Sequence, residues 1–277
     1  MSFRDGQDEM ESQSAGLWDY VSPSRLNLWL KCPLAFRLRY VDGIWTPPSV
    51  SQFIGRTVHR ALENYYAHRQ KSIKLSPVEV SQWLRDQWEE AVDSDGVRFD
   101  SSAAAQAARQ QSLDLVSAYL AQVPSDEPRP LAIETMLEAA LLDPVTGENL
   151  GLPLVGVIDL VLPGVEGAVI ADFKTTSRGG ELLDITHELQ LSAYSYLYRR
   201  KFPWPEEALE IRNLVKTKQP RVENHRFVRR TQAHYRRLFA IVRAYLDALD
   251  SRKYVIRPNH LCAACEFARS HCAQWVG

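Results

Sequence analysis

Apolar positions recur at helical spacing over the first 123 residues and then alternate, with a proline-rich break at 124–130 between the two regimes. Ser22-Pro23-Ser24 precede an apolar stretch over 26–40, and either serine suits the N-cap of a helix that carries Cys32. Pro33, directly after that cysteine, is expected to kink or split the helix. A loop over 42–48 follows. Residues 51–68 place Phe53, Val58, Leu62 and Tyr65 or Tyr66 on one side of a second helix, and 78–92 and 103–123 predict two more around a polar loop at 93–102. Beyond the break, 131–142, 154–162 and 168–174 predict three strands of an antiparallel meander, joined by turn-forming residues at 143–147 and 163–167. Helical spacing returns over 187–200. Strands are expected over 208–217 and 221–228, with Gln219-Pro220 between them, and an amphipathic helix over 231–249. Helices, then a sheet with an inserted helix, then a final helix make a mixed α/β layered fold.

Composition adds limits. The 277 residues suffice for a well-buried core, and 45% apolar with 24% charged residues is ordinary for a globular chain. A net charge of −1 means that any polyanion site must come from local clustering. No apolar run reaches the roughly 20 residues of a membrane span. The polar, acidic start has no secretory pattern, so a cytoplasmic protein without membrane contact is expected, with residues 1–16 as a disordered tail.

Two acidic residues interrupt strongly apolar runs: Asp159 ends Val155-Gly156-Val157-Ile158-Asp159, and Asp172 lies in Val169-Ile170-Ala171-Asp172-Phe173. Side chains alternate along a strand, so Asp172 and Lys174 share a face while Phe173 points into the core. Asp159, on the neighbouring strand, is close enough to share it. Two converging carboxylates repel unless a cation lies between them, and hard oxygen ligands suit Mg²⁺ or Mn²⁺. Such an ion polarises a phosphoryl oxygen and acidifies bound water, and Lys174 beside it can orient that water and balance charge. The plain alternative is a strand end beside a surface ion pair.

All four cysteines, Cys32, Cys262, Cys265 and Cys272, read as one tetrathiolate site. It could hold Zn²⁺ or a [4Fe–4S] cluster, although a solitary ligand 230 residues upstream is unlike the two local pairs of most zinc sites. His260 and His271 are candidate replacement ligands for zinc. Between Arg212 and Arg237 lie nine Lys or Arg residues, among them Lys216, Lys218, Arg221, Arg229 and Arg230, which form either a phosphate-contacting face or a solvated one.

Gly156-Val157-Ile158-Asp159, Asp172-Phe173-Lys174-Thr175-Thr176 and Gln190-Leu191-Ser192-Ala193-Tyr194, in this order, resemble the PD-(D/E)XK nuclease superfamily, and within it the branch of the RecB/AddB C-terminal nuclease and Cas4. The likeness runs from about Ser22 onwards. It implies a restriction-endonuclease-like core, a central mixed sheet flanked by helices, in a single nuclease domain over 17–277. That domain would comprise a helical region at about 51–123, a sheet core at about 131–228 and a cysteine-rich tail at about 258–277 stapled to Cys32. It implies catalysis by Lys174 with Asp159 and Asp172, and a metal held by His59, Asp159, Asp172 and the Phe173 carbonyl. His59 suits Mn²⁺ better than Mg²⁺. Gln190 and Tyr194 would face DNA together with the basic run, and Glu134 would be an outer or second-metal carboxylate. The four cysteines would hold [4Fe–4S]. The implied activity is a DNA exonuclease on single-stranded ends or flaps, in recombination and repair, phage DNA metabolism or CRISPR adaptation, with a helicase or integrase as partner. A Cas4-type DNA-end trimming factor and a non-catalytic DNA-binding scaffold are the alternatives.

Overall fold

Among the described residues, five strands form one mixed sheet in chain order, and helices cover both faces, as the resemblance implies. The computed structural model describes residues 16–180 and 184–274. Residues 1–15 of the expected tail over 1–16 and the last three residues of the cysteine-rich segment lie outside the described residues. The strands are β1 (Ala132–Leu142), β2 (Asn149–Pro163), β3 (Ala168–Thr176), β4 (Glu206–Val215) and β5 (Arg221–Val228). The helices are α1 (Pro23–Lys31), α2 (Pro33–Phe36), α3 (Val50–Gln70), α4 (Pro77–Asp95), α5 (Ser102–Leu120), α6 (Asp184–Lys201) and α7 (Gln232–Asp250). No helix among the described residues is long and apolar enough to cross a membrane.

The first helix breaks where Pro33 requires it. Ser22 caps α1, accepting the Arg25 N–H at 3.2 Å, and Cys32 is extended (φ −163°, ψ 111°) before α2 restarts and runs into a π-helical turn over Arg37–Val41. Helices α3 and α4 each open on a capping box, Ser49 with Gln52 and Ser76 with Glu79, which satisfies backbone donors that a helix start leaves unpaired.

Two large apolar clusters sandwich the sheet. One joins α1, α6 and α7 to it through residues such as Leu26, Leu197 and Phe239. The other joins α3, α4 and α5 through residues such as Leu62, Leu84 and Val116. Strands β1, β2 and β3 form the expected antiparallel meander, α6 carries the chain to β4 parallel to β3, and β5 returns antiparallel.

Two departures from regular strand geometry shape the site. Strands β2 and β3 pair only from Pro163↔Ala168 to Leu160↔Ala171, so they fork immediately before Asp159 and Asp172. Apolar alternation also changes phase on β1 and β2. Ile133 and Leu160 face the α3 cluster, whereas Leu137, Leu141, Leu154 and Ile158 face the α6 cluster, with the change falling at Glu134 and Asp159. Strand β2 starts at Asn149, earlier than expected. The Pro153 carbonyl accepts the Val21 N–H at 2.9 Å, and the Val155 N–H donates to Val21 at 2.8 Å, so the chain before α1 adds to this end of the sheet.

Candidate active site

The fork leaves backbone groups of β3 without a β2 partner, and side chains take them over. The Phe173 N–H donates to Asp159 Oδ2 at 2.8 Å. The N–H and C=O of one strand residue project to the same edge, so the Phe173 carbonyl faces the fork as well. The Phe173 ring points the other way, 2% exposed, stacked on Tyr66 and edge-on to Tyr119. Asp172 is 1% exposed and forms an ion pair with Lys174 Nζ at 2.7 Å. The alternation expected for Asp172, Phe173 and Lys174 is therefore what the strand shows.

Helix α3 brings His59 to the fork. Its Nδ1 lies 3.6 Å from Asp159 Oδ2, and its ring meets the Phe173 ring edge-on at 5.9 Å. This approach needs Gly55, where a Cβ would lie 2.9 Å from Thr175 Oγ1 on β3. Helix α6 closes the opposite side. The Gln190 amide donates to Asp172 Oδ1 at 2.9 Å and to the Tyr194 hydroxyl at 2.7 Å, and the Tyr194 hydroxyl reaches the same carboxylate at 3.5 Å. Here Gly156 permits the contact, since a Cβ would lie 2.9 Å from Leu197 Cδ1.

Charge is concentrated and poorly solvated. Burial, reinforced by the Asp172 charge, pushes the Asp159 carboxyl up to about 6, against the pull of His59, Lys174 and the Phe173 N–H. Burial alone would lower Lys174, but the Asp172 and Asp159 carboxylates outweigh it and hold the ammonium above its usual value. His187, which sequence patterning did not single out, is half-buried close enough to Lys174 and Asp172 to sense both, and burial lowers its pKa. Asn213 is also new. It is 1% exposed, sits in register with Lys174 and accepts the Thr176 hydroxyl at 2.9 Å. Among the described residues, one trio of potential metal ligands has its atoms all within 4.8 Å of one another: His59, Glu134 and Asp159. Asp172 is not in it, because it is turned to Lys174 and Gln190.

The basic run does not form one face. Arg212 is buried on Tyr66, Tyr119 and Glu127, Arg226 pairs with Glu207 and Glu210, and Arg237 pairs with Glu188. Arg230 is 1% exposed with its guanidinium on Asp184, so it offers nothing to a phosphate, contrary to expectation. Arg212 and Arg226 share one face of β4 and β5, where Glu127, Glu207 and Glu210 meet them, and Arg230 and Arg237 meet acids of α6. Gln190 and Tyr194 likewise spend their polar atoms on Asp172 rather than on a free surface. Lys216, Lys218 and Arg221 lie at the β4–β5 turn, with Arg221 paired with Glu223 at 2.9 Å and the Lys216 ammonium donating to the Ser51 hydroxyl at 2.6 Å. The Lys216 N–H donates to Thr176 at 2.7 Å, so this turn lies at the Lys174 end of the sheet. Exposed Arg229 follows the opposite end of β5.

The four cysteines form no disulfide and line one cavity of about 480 Å³ between α1, α2 and the segment after α7. Burial and the neighbouring thiols of Cys32, Cys265 and Cys262 push Cys272 up. Protein contacts close the seam: the Leu34 N–H donates to Val255 at 3.2 Å, the Asn259 amide donates to Lys31 at 3.1 Å, and Arg39 pairs with Glu266. No three of the sulfurs lie within 4.8 Å of one another.

The profile of the PD-(D/E)XK nuclease superfamily matches residues 20–272. No curated protein matches the chain. Among solved structures, a protein of Eubacterium rectale named as a candidate exonuclease is similar at 13% identity, with 97% of this chain and 93% of that one covered and a TM-score of 0.57, a likeness of fold. The protein SSO0001 aligns over 99% of this chain and 100% of its own at 13% identity, with a TM-score of 0.39.

Proposed function

The chain belongs to the PD-(D/E)XK nuclease superfamily, and from that premise we propose that it is a metal-dependent DNA exonuclease acting on single-stranded ends or flaps. The observation that carries this reading is the strand fork, where buried Asp159 and Asp172 meet His59 on one side and Lys174 on the other. Buried carboxylates that face each other fit a divalent cation, and the donor set of His59, Asp159, Asp172 and the Phe173 carbonyl suits Mn²⁺ or Mg²⁺, the imidazole favouring Mn²⁺. A bound ion of this kind supplies a polarised phosphoryl oxygen and a water of lowered pKa.

The chain's own residues do the rest. Lys174, held protonated by Asp172 and Asp159, keeps positive charge and a hydrogen-bond donor where negative charge grows on the phosphate and where the attacking water must be oriented. Gln190 and Tyr194 fix the Asp172 carboxylate. Lys216, Lys218 and Arg221, at the same end of the sheet, offer charge to the backbone of the incoming strand. The name given to the Eubacterium rectale protein agrees with an exonuclease.

The cysteines support a [4Fe–4S] cluster and, with it, the RecB/AddB and Cas4 branch. Tetrahedral zinc with ~2.3 Å Zn–S bonds would draw the sulfurs to about 3.8 Å from one another. One cavity of about 480 Å³ lined by all four cysteines has room for a larger group. Such a cluster would staple the segment after α7 to α1 and α2 and make 17–277 one domain. Thiolate ligands of such a cluster fit a reducing, cytoplasmic compartment.

The test is cleavage of end-labelled linear and of circular single-stranded DNA by wild type and Lys174→Ala, with Mn²⁺ or Mg²⁺ and with chelator. Metal-dependent loss of label from linear DNA alone, abolished in the variant, is expected. Equal cleavage by both proteins, or none by either, overturns the hydrolase, and cutting of circles overturns the exonuclease.

A further inference from the structure

The four thiols are not held alike. Cys32, Cys265 and Cys272 are half-buried and pack beside a small apolar cluster of Leu34, Ala35, Leu38 and Phe267. Cys262 is exposed and, among the described residues, is not packed on that cluster. It sits in a 3₁₀ turn, His260–Ala264, none of whose residues is buried. Polar contacts hold this turn. The Asn259 amide donates to the carbonyls of Lys31 at 3.1 Å and Arg257 at 2.9 Å, and its side-chain oxygen accepts the Leu261 N–H at 2.9 Å. The Asn259 N–H donates to Cys262 Sγ at 3.4 Å. The cavity that the cysteines line therefore has an apolar inner wall and, over 261–264, an outer wall of exposed residues.

In a [4Fe–4S] cluster each thiolate holds one iron, and the apolar shell around a site controls what solvent can bring to it. The iron on Cys262 is the one that this shell leaves open. We propose that Cys262 is the labile ligand of the cluster and makes the staple an oxidant-sensitive switch. This rests on the iron–sulfur reading above. A one-electron oxidant takes one electron from [4Fe–4S]²⁺. Cys262 and the sulfides then release one iron as Fe²⁺, and [3Fe–4S]⁺ stays on Cys32, Cys265 and Cys272. The Cys262 sulfur keeps its bonding electron pair, stabilised by the Asn259 N–H, and takes a proton from water. Ferrous iron and one electron from a reductant reverse the step. Cys32 lies before every strand and Cys265 and Cys272 after all of them, so the three-iron form still joins the two ends of the chain.

The full chain, purified without oxygen, is tested by iron and sulfide analysis and by low-temperature electron paramagnetic resonance, before and after one equivalent of ferricyanide. Wild type is expected to start silent, to gain the [3Fe–4S]⁺ signal on oxidation and to lose about a quarter of its iron. Ferrous iron and dithionite are expected to restore it, with the segment over 251–274 protease-resistant throughout. Cys262→Ala is expected to carry the three-iron cluster and its signal without any oxidant, whereas Cys265→Ala holds almost no iron. Wild type that goes from the full cluster to none without the [3Fe–4S]⁺ signal overturns the proposal, and so does a Cys262→Ala chain as free of iron as Cys265→Ala. Iron and sulfide in the unoxidised wild type leave the cluster reading standing after either failure. Zinc in their place removes that reading and the proposal with it.

Discussion

Asp172 has three donors on its carboxylate: Lys174 at 2.7 Å, Gln190 at 2.9 Å and Tyr194 at 3.5 Å. Asp159 has one N–H and one imidazole, and its carboxyl is raised to about 6. The two acids therefore differ in how they are held: Asp172 is oriented toward the cation by the protein, whereas Asp159 has fewer protein donors and more need of the cation. Lys174→Ala is expected to lower the cleavage rate about 10²–10³-fold while Mn²⁺ affinity changes less than about threefold, since Lys174 opposes rather than ligates the metal. Calorimetry beside single-turnover cleavage separates the two effects, and a matching collapse of metal affinity would make Lys174 part of the metal site's scaffold. Gln190→Ala gives a complementary result. If Gln190 acts by fixing Asp172, the variant loses about 10–100-fold in metal affinity or kcat and little in single-stranded DNA binding without metal. A residue that touched the DNA would show the reverse, with binding weakened and the metal unaffected.

At the scale of elements, two glycines set how closely α3 and α6 approach the fork. At Gly156 the obstacle to a Cβ is the flexible end of Leu197, so Gly156→Ala is expected to cost about 1–2 kcal/mol. Because α6 carries Gln190 and Tyr194, it should also lower cleavage. A double-mutant cycle with Leu197→Ala checks the cause: a favourable coupling of at least ~0.5 kcal/mol between the two changes is expected, and strict additivity would place the strain elsewhere. The hairpin turn of β1 and β2 gives an electrostatic prediction. Asp143 accepts the Val145 N–H at 2.8 Å and pairs with Arg243 of α7 at 2.7 Å. Burial would raise its pKa, but these bonds outweigh it and lower it, so its stabilisation is complete above the unfolded-state pKa of about 3.9 and is lost as pH falls through the lower folded value. Urea unfolding of Asp143→Asn and wild type is therefore expected to differ near neutral pH and to converge in acid. Periodicity showed these elements because each has one buried face. It did not show the phase change at Glu134 and Asp159, since two strands that swap faces together keep an apolar look throughout. Nor could a linear count of basic residues show that Arg212, Arg226 and Arg230 meet acids from α6, from β4 and from the segment after α5.

At the scale of the molecule, three apolar clusters have unequal duties. Two large ones lie on the sheet's faces and hold α3 and α6 against the fork. The third is small, Leu34, Ala35, Leu38 and Phe267, and packs beside Cys32, Cys265 and Cys272. A core of four residues stabilises a separate segment weakly, so the thiol-bound group is what should hold the chain after α7 in place. The ligands are far apart in sequence, with Cys32 before every strand and Cys262 after all of them, but closing a long loop adds only logarithmically to its entropy. Cys272→Ala is thus expected to lose the visible absorbance of the cluster and to expose the segment over 251–274 to protease. Far-UV circular dichroism should stay close to wild type, because strands and main helices belong to the other two clusters. Mn²⁺ affinity should change by less than about threefold, since none of the fork's ligands packs on the third cluster. Loss of Mn²⁺ binding together with tertiary structure would show the opposite, that the cluster supports the whole sheet. Stoichiometric zinc in the wild-type protein, in place of iron and sulfide, would keep the staple and change its chemistry.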